Sequence, residues 1–178
     1  MANTDAPRGL RPWNAVGGGS PRLSKYSAGT TTNILRGEVV ALATNGRLHT
    51  IATTTGSANI IGVAANAIIV TQGTNGTSPA DIYVYDDPYQ EFTIQDDGAG
   101  ATPAQASLGA TYPLVLTAGS TVTGQGGMEL DISAPGTATT DPLLAVRYLT
   151  GGPLEIAKFA TFVVRLNRHI LKSGSAGI

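Results

Sequence analysis

Two histidines, twelve acids and no cysteine bound the metal-ligating and much of the acid–base chemistry open to the chain. Without cysteine there is no thiolate metal site, no thiol nucleophile and no disulfide framework. His49 and His169 are the only imidazoles, too few for a multi-histidine zinc site, and no second ligand type clusters near His49. His49 therefore reads as an ordinary strand residue. The paired aspartates Asp86-Asp87-Pro88 and Asp96-Asp97-Gly98 invite a calcium reading. An EF-hand loop, however, needs acids at its first, third and fifth positions and a glutamate at its end, and Asp-Asp-Pro and Asp-Asp-Gly are also what tight turns select. The expectation is turns, with no metal and no cofactor. Gly124-Gln-Gly-Gly127 is followed by no lysine and no helix, so it is not a phosphate loop, and no nucleophile-elbow, His-Glu-x-x-His or Walker pattern occurs. The expectation is a protein that is not an enzyme.

The basic residues carry more information. Residues 1–47 hold six Lys/Arg against two acids, residues 147–178 hold five against one, and between Arg47 and Arg147 there are nine acids and no base. Net charge is −1, but if the two ends meet in space the molecule has a basic pole and an acidic pole. A basic pole suits an acidic protein surface. The cluster Arg165, Arg168, His169 and Lys172 lacks interleaved aromatic side chains, so no nucleic-acid partner is expected.

These groups must be positioned by strands. Charged residues are only 13% of the 178 and aromatic residues 6%, while glycine reaches 23 residues; this is the composition of a turn-rich β protein. Asn33–Ala43 reads as a strand, Thr44-Asn45-Gly46 as a hairpin turn and Arg47–Ala52 as the return. Asn59–Thr71 is apolar and β-branched, with a bulge or bend expected at Gly62. Thr53–Ser57 and Gln72–Pro79 read as loops, the second containing the sequon Asn75-Gly76-Thr77, expected to stay unmodified. Short strands with acidic turns fill the middle, and Thr102–Leu108 is the one candidate for a helical turn. In Lys158–Asn167 the residues Ala160, Phe162, Val164 and Leu166 fall on one face, which is read as core.

Residues 1–21 carry Pro7, Pro12, Pro21, a Gly17-Gly18-Gly19-Ser20 hinge and Trp13 beside Arg8 and Arg11, with no periodicity. They read as an extended arm that orders on a partner, Trp and Arg being strong interface anchors. The expected architecture is all-β: a compact barrel or sandwich body from residues 22–79 and 141–178, the N-terminal arm 1–21, and an acidic β-rich insertion at 80–140. The acidic middle is expected to face solvent. The opening Met-Ala-Asn-Thr-Asp-Ala-Pro-Arg-Gly has no apolar signal core, and the longest near-apolar run, Ile60–Val70, is shorter than the ~20 residues of a membrane span. Synthesis inside a cell and no membrane partner are expected.

The opening through Leu10-Arg-Pro12, the glycine hinge and Arg22-Leu-Ser-Lys-Tyr26 resemble the N-terminus of small structural proteins of tailed bacteriophages. Leu35-Arg-Gly-Glu-Val-Val-Ala-Leu, Asn45-Gly46, Ile61-Gly-Val-Ala, Tyr85-Asp-Asp-Pro, Leu130-Asp-Ile and Phe162-Val-Val-Arg-Leu-Asn-Arg-His-Ile extend the likeness along the chain. The set is similar to phage head decoration, or capsid cement, proteins. Where that family's turn commonly carries Gly-Asp, this chain has Gly37-Glu38. The resemblance implies a β-rich homo-oligomer, usually a trimer, with a dimer also open, bound to the major capsid protein on the capsid exterior after assembly in the host cytoplasm. It carries over no catalytic residues. On the residue reading, Arg8, Arg11, Trp13, Arg22, Lys25, Arg165 and Arg168 are the candidate capsid-binding side chains. A tail or head–tail connector component, or a host- or carbohydrate-binding module using Tyr83, Tyr85 and Tyr89, would share the composition.

Overall fold

A computed structural model of the chain describes residues 3–14, 19–29, 33–52, 59–70, 80–100, 102–137, 139–149 and 157–172. The loops expected at 53–57 and 72–79, with their sequon, and Gly17 and Gly18 of the hinge lie outside the described residues. Among the described residues twelve strands run in chain order: β1 (Arg11–Asn14), β2 (Leu23–Ala28), β3 (Val39–Leu42), β4 (Leu48–Thr50), β5 (Ile60–Ala64), β6 (Ala80–Tyr85), β7 (Glu91–Gln95), β8 (Thr111–Tyr112), β9 (Leu114–Val115), β10 (Glu129–Leu130), β11 (Leu143–Tyr148) and β12 (Thr161–Leu166). The protein is all-β. Among the described residues the one helical piece is the 3-10 turn Gln105–Ser107, inside the segment expected to hold a helical turn.

Five strands, in the order β2-β4-β3-β5-β6, close into a barrel, and five more, β1-β7-β12-β11-β8, form an antiparallel sheet. The β3–β4 hairpin turns where Asn45-Gly46 was read: Gly46 takes φ +74°, its N–H donates to the Ala43 carbonyl, and the Asn45 Oδ1 accepts from the Arg47 N–H. Strand alternation then sorts the apolar residues into two cores. Val40, Leu48, Ile61, Ile82 and Val84 fill the barrel, while Val39, Ala41, Ile60 and Val63 face outward onto the sheet, where they meet Phe92, Ile94, Phe162 and Val164.

Gly62 is what lets β5 serve both cores. Val40 pairs with Gly62 and Ala41 with Ile60, so β5 carries one extra residue there. The bulge resets the alternation: Ile60 and Val63 face the sheet, and Ile61 and Ala64 face the barrel. A side chain at position 62 would overlap the Tyr85 carbonyl oxygen and the Val84 side chain.

The β12 pattern falls as expected, with Ala160, Phe162, Val164 and Leu166 all buried in one core. The expected segment boundaries fall differently. Residues 80–140 do not stand apart from the rest, because β6 closes the barrel and β7 sits between β1 and β12 in the sheet. Residues 22–79 and 141–178 contribute to different sheets, since β11 and β12 pair with β8 and β7 outside the barrel, but they pack into one core, where Val39 and Val63 meet Phe162 and Val164.

The described part of the arm is seated on its own chain, where the sequence suggests a segment that orders on a partner. β1 is the edge strand beside β7. Leu10 is 1% exposed, and its N–H donates to the Gly37 carbonyl at 2.8 Å. Gly9 (φ +64°) and Gly37 (φ +90°) let the two backbones pass closely: a Cβ on Gly9 would strike the Gly37 carbonyl, and one on Gly37 the Arg8 carbonyl. Further out, Gln95 holds the chain at both ends of its amide, accepting from the Ala6 N–H at 2.9 Å and donating to the Thr4 carbonyl at 2.8 Å.

Candidate docking site

Sorting the basic residues by what they touch separates structural cations from available ones. The Arg22 Nε lies 2.7 Å from the Asp86 Oδ1, and the Tyr26 hydroxyl donates to the other oxygen at 2.8 Å. Burial raises the Asp86 pKa, but hydrogen bonds from Arg22, Ser24 and Tyr26 outweigh it and hold the carboxyl below its usual range. The Tyr26 phenol is pushed up to about 12, by burial and then by its bond to Asp86. Lys25 pairs with Asp81 at 2.7 Å on the exposed barrel wall. Arg165 and Arg147 take the two oxygens of Glu91 at 2.8 and 2.7 Å. Arg168 reaches the Thr140 carbonyl.

The expected acidic, solvent-facing middle is therefore not what forms. Asp86, Glu91, Asp96, Glu129 and Asp141 are buried: the β2–β6 and β7–β12 pairings bring Arg22 to Asp86 and Arg165 to Glu91, while Glu129 and Asp141 accept from the Thr117 and Thr111 hydroxyls. Asp96 is the extreme case, with no exposed surface. Its Oδ1 accepts from the Gly98 and Phe159 N–H groups, and its Oδ2 has no hydrogen-bond partner. Burial raises its pKa, against the pull of those backbone donors. The double-aspartate runs do cap turns: Asp87 accepts from the Tyr89 N–H, and Asp97 from the Ala99 N–H.

Arg8 and Arg11 remain, and the fold adds Arg36, which the sequence reading passed over. Arg8 and Arg11 lie on the arm and Arg36 precedes β3; all three are exposed. Burial and then repulsion from Arg8 and Arg36 lower the Arg11 pKa, so the three guanidiniums feel one another. Gln125 ties the group together. Its Oε1 accepts from the Arg36 Nη2 at 2.8 Å, and its Nε2 donates to the Arg8 carbonyl at 2.7 Å. The described ion pairs engage Arg22, Lys25, Arg147 and Arg165, and none involves these three.

Trp13 stands on the same edge strand. The β1–β7 register shifts between Pro12 and Asn14, which makes Trp13 the extra residue of a bulge and leaves it 50% exposed. Of the tyrosines considered for ligand binding, Tyr83 and Tyr89 are exposed, but Tyr85 packs edge-on against Phe92. Tyr89 lies under the Lys172 ammonium, 5.5 Å from the ring centre. His49 lies on β4 with its Nδ1 2.8 Å from the Thr50 carbonyl. Among the described residues no group of three or more His, Asp and Glu is placed to hold a metal. No helix among them is long and apolar enough to cross a membrane. No protein-family model, no curated protein and no solved structure matches the chain.

Proposed function

We propose that the protein is a non-enzymatic structural component of a tailed-phage particle, bound as a homo-oligomer, with a trimer favoured, to the major capsid protein on the outside of the shell. The phage assignment rests on the sequence resemblance; the docking face rests on one arrangement in the fold. That arrangement is Trp13, half exposed in an edge-strand bulge, two residues from Arg11 and the three-guanidinium group. Trp and Arg are the side chains that dominate interface energetics. The backbone carrying them is already fixed by β7, Gln95 and Gly37, so docking loses little conformational entropy. An arm that orders only on the partner would lose more.

Co-sedimentation with empty capsids, imaged by negative stain, tests the reading. Trp13→Ala is expected to weaken decoration by about 2 kcal/mol or more, roughly thirtyfold, the scale of a hot-spot aromatic. Arg11→Glu is expected to weaken it further, and Arg168→Glu to leave it unchanged. Arg165→Glu acts through loss of its pair with Glu91, so it lowers stability rather than docking. Decoration by Trp13→Ala at wild-type occupancy and affinity overturns the docking face. Absence of wild-type decoration at any three-fold position, with ring assembly in its place, favours a connector.

A further inference from the structure

Arg8, Arg11 and Arg36 are held together by a scaffold that the rest of the fold does not require for charge balance. The arm is clamped to the barrel loop by the Leu10–Gly37 hydrogen bond. That loop is clamped to the 117–127 segment by the Arg36 N–H on the Gly124 carbonyl and the Gly126 N–H on the Arg36 carbonyl, at 3.0 and 2.9 Å. Gln125 then fixes the Arg36 guanidinium and the Arg8 backbone with opposite ends of one amide. Three like charges on two segments, the arm and the loop before β3, repel, and none of the described ion pairs relieves them.

Between these segments lies a cleft of about 290 Å³. Leu10, Pro12, Ala64 and Tyr85 form its apolar lining, and Arg11 and Arg36 its charged walls. A second opening shares Arg11 and Gln125 and brings in Arg8. Guanidiniums bind oxyanions through paired, directional N–H donors.

The chemistry of the surroundings separates carboxylate from phosphate. Phosphate sites built on glycine-rich turns use free backbone N–H groups. Here the Gln125 N–H donates to the Ser120 carbonyl and the Gly126 N–H to the Arg36 carbonyl, so these two amides are committed within the protein. An apolar lining between two arginines instead matches a side chain with methylenes below a carboxylate.

We propose that Arg8, Arg11 and Arg36, with Gln125 holding the Arg36 guanidinium and the Arg8 backbone, form an oxyanion-binding site whose occupant is a glutamate or aspartate side chain of an acidic segment on a partner protein. The oxyanion site stands on this geometry alone; that the partner is a capsid subunit rests on the docking reading above.

The test uses the full chain and needs no capsid. Trp13 is the chain's single tryptophan and lies two residues from Arg11, so its fluorescence reports binding of a capped glutamate-rich peptide, with inorganic phosphate as the second arm. Saturable peptide binding that weakens with ionic strength is expected. Arg36→Ala and Arg11→Ala should each weaken it by about tenfold or more, the scale of a lost charge-assisted contact. Arg11→Lys should recover only part, since the ammonium lacks the fork. Arg47→Ala, on the distant β3–β4 turn, should bind as wild type. The melting temperature of Arg11→Ala should equal or exceed that of wild type, because a repulsion is removed. A fall in melting temperature that accounts for the lost binding overturns the site as a structural artefact. No peptide binding, or equal weakening by Arg47→Ala, overturns the site. Phosphate binding as tight as the peptide overturns the carboxylate assignment. Peptide binding with no capsid decoration keeps the site and removes the capsid as partner.

Discussion

Leu10 and Trp13 sit three residues apart on the same arm and should fail in opposite ways. Leu10 is 1% exposed within the core shared by barrel and sheet. Truncating a fully buried leucine costs about 2–5 kcal/mol, according to how far the cavity collapses. The Leu10 backbone is pinned to Gly37 on one side and leads into β1 on the other, so collapse is limited and about 3 kcal/mol is the working figure for Leu10→Ala. With a urea dependence of roughly 2 kcal/mol per molar, that moves the unfolding midpoint by roughly 1.5 M. On heating it lowers the melting temperature by roughly 6–12 °C for a chain of this size. Trp13→Ala removes a half-exposed side chain and should shift stability by less than about 1 kcal/mol while abolishing most docking. Deleting residues 1–14 removes Leu10 and the whole β1 edge, so the body should become marginal rather than remain intact. In limited proteolysis residues 3–14 of the free protein should resist cleavage. A Leu10→Ala midpoint within roughly 0.3 M of wild type, or rapid trimming of 3–14 without partner, refutes the seated arm.

Glu91 offers a second stability test: Glu91→Gln leaves Arg147 and Arg165 without their shared carboxylate and should cost about 2–3 kcal/mol in denaturant titrations, less than a fully buried pair because both guanidiniums keep some water. Gly62→Ala drives a methyl into the Tyr85 carbonyl and the Val84 side chain, and a loss of about 2–3 kcal/mol or more on the same titrations is expected. His169 sets an acid limit. Burial, with a contribution from Lys172, lowers its pKa below the 6.5 of the free side chain, so the folded state prefers the neutral ring, whose Nδ1 accepts from the Leu171 N–H. Its contribution is complete above about 6.5 and is lost as the pH falls toward the folded value. Melting temperature followed from neutral pH downward should therefore drop more in wild type than in His169→Gln, and equal slopes would contradict the assignment.

The local signals in the sequence were strong enough to place strands and turns. Asn45-Gly46 marks a turn because only certain residues tolerate the backbone it needs, and Gly62 marks a bulge because nothing larger fits beside Tyr85. Ala160, Phe162, Val164 and Leu166 reveal their face because strand period is local. Leu10 was not legible. It is a lone apolar residue among arginine, glycine and proline, and its burial depends on Gly37, which lies 27 positions away in the chain. Asp96 was misread for a related reason. Asp-Asp-Gly does form a turn, but one of the donors that hold Asp96 is the N–H of Phe159, 63 residues on.

The charge map shows why segregation along a sequence is a poor guide to poles on a surface. Bases at both ends and acids in the middle suggest separation only if the middle folds by itself. Here β6 lies along β2 and β7 along β12, so sequence segregation becomes spatial pairing: Arg22 meets Asp86, Lys25 meets Asp81, and Arg165 meets Glu91. Arg22 and Arg165 are committed to buried carboxylates, and changing them perturbs stability before it perturbs binding, whereas the Lys25–Asp81 pair stands in solvent and adds little. The cations that can act on a partner are those left after the internal pairs are subtracted. Nothing local distinguishes Arg36 from Arg47, since both flank β-rich runs and both sit near glycine. The fold distinguishes them by bringing Arg36 to Gln125 and Arg11, which turns three unremarkable arginines from two regions of the chain into one group that none of the described ion pairs neutralises.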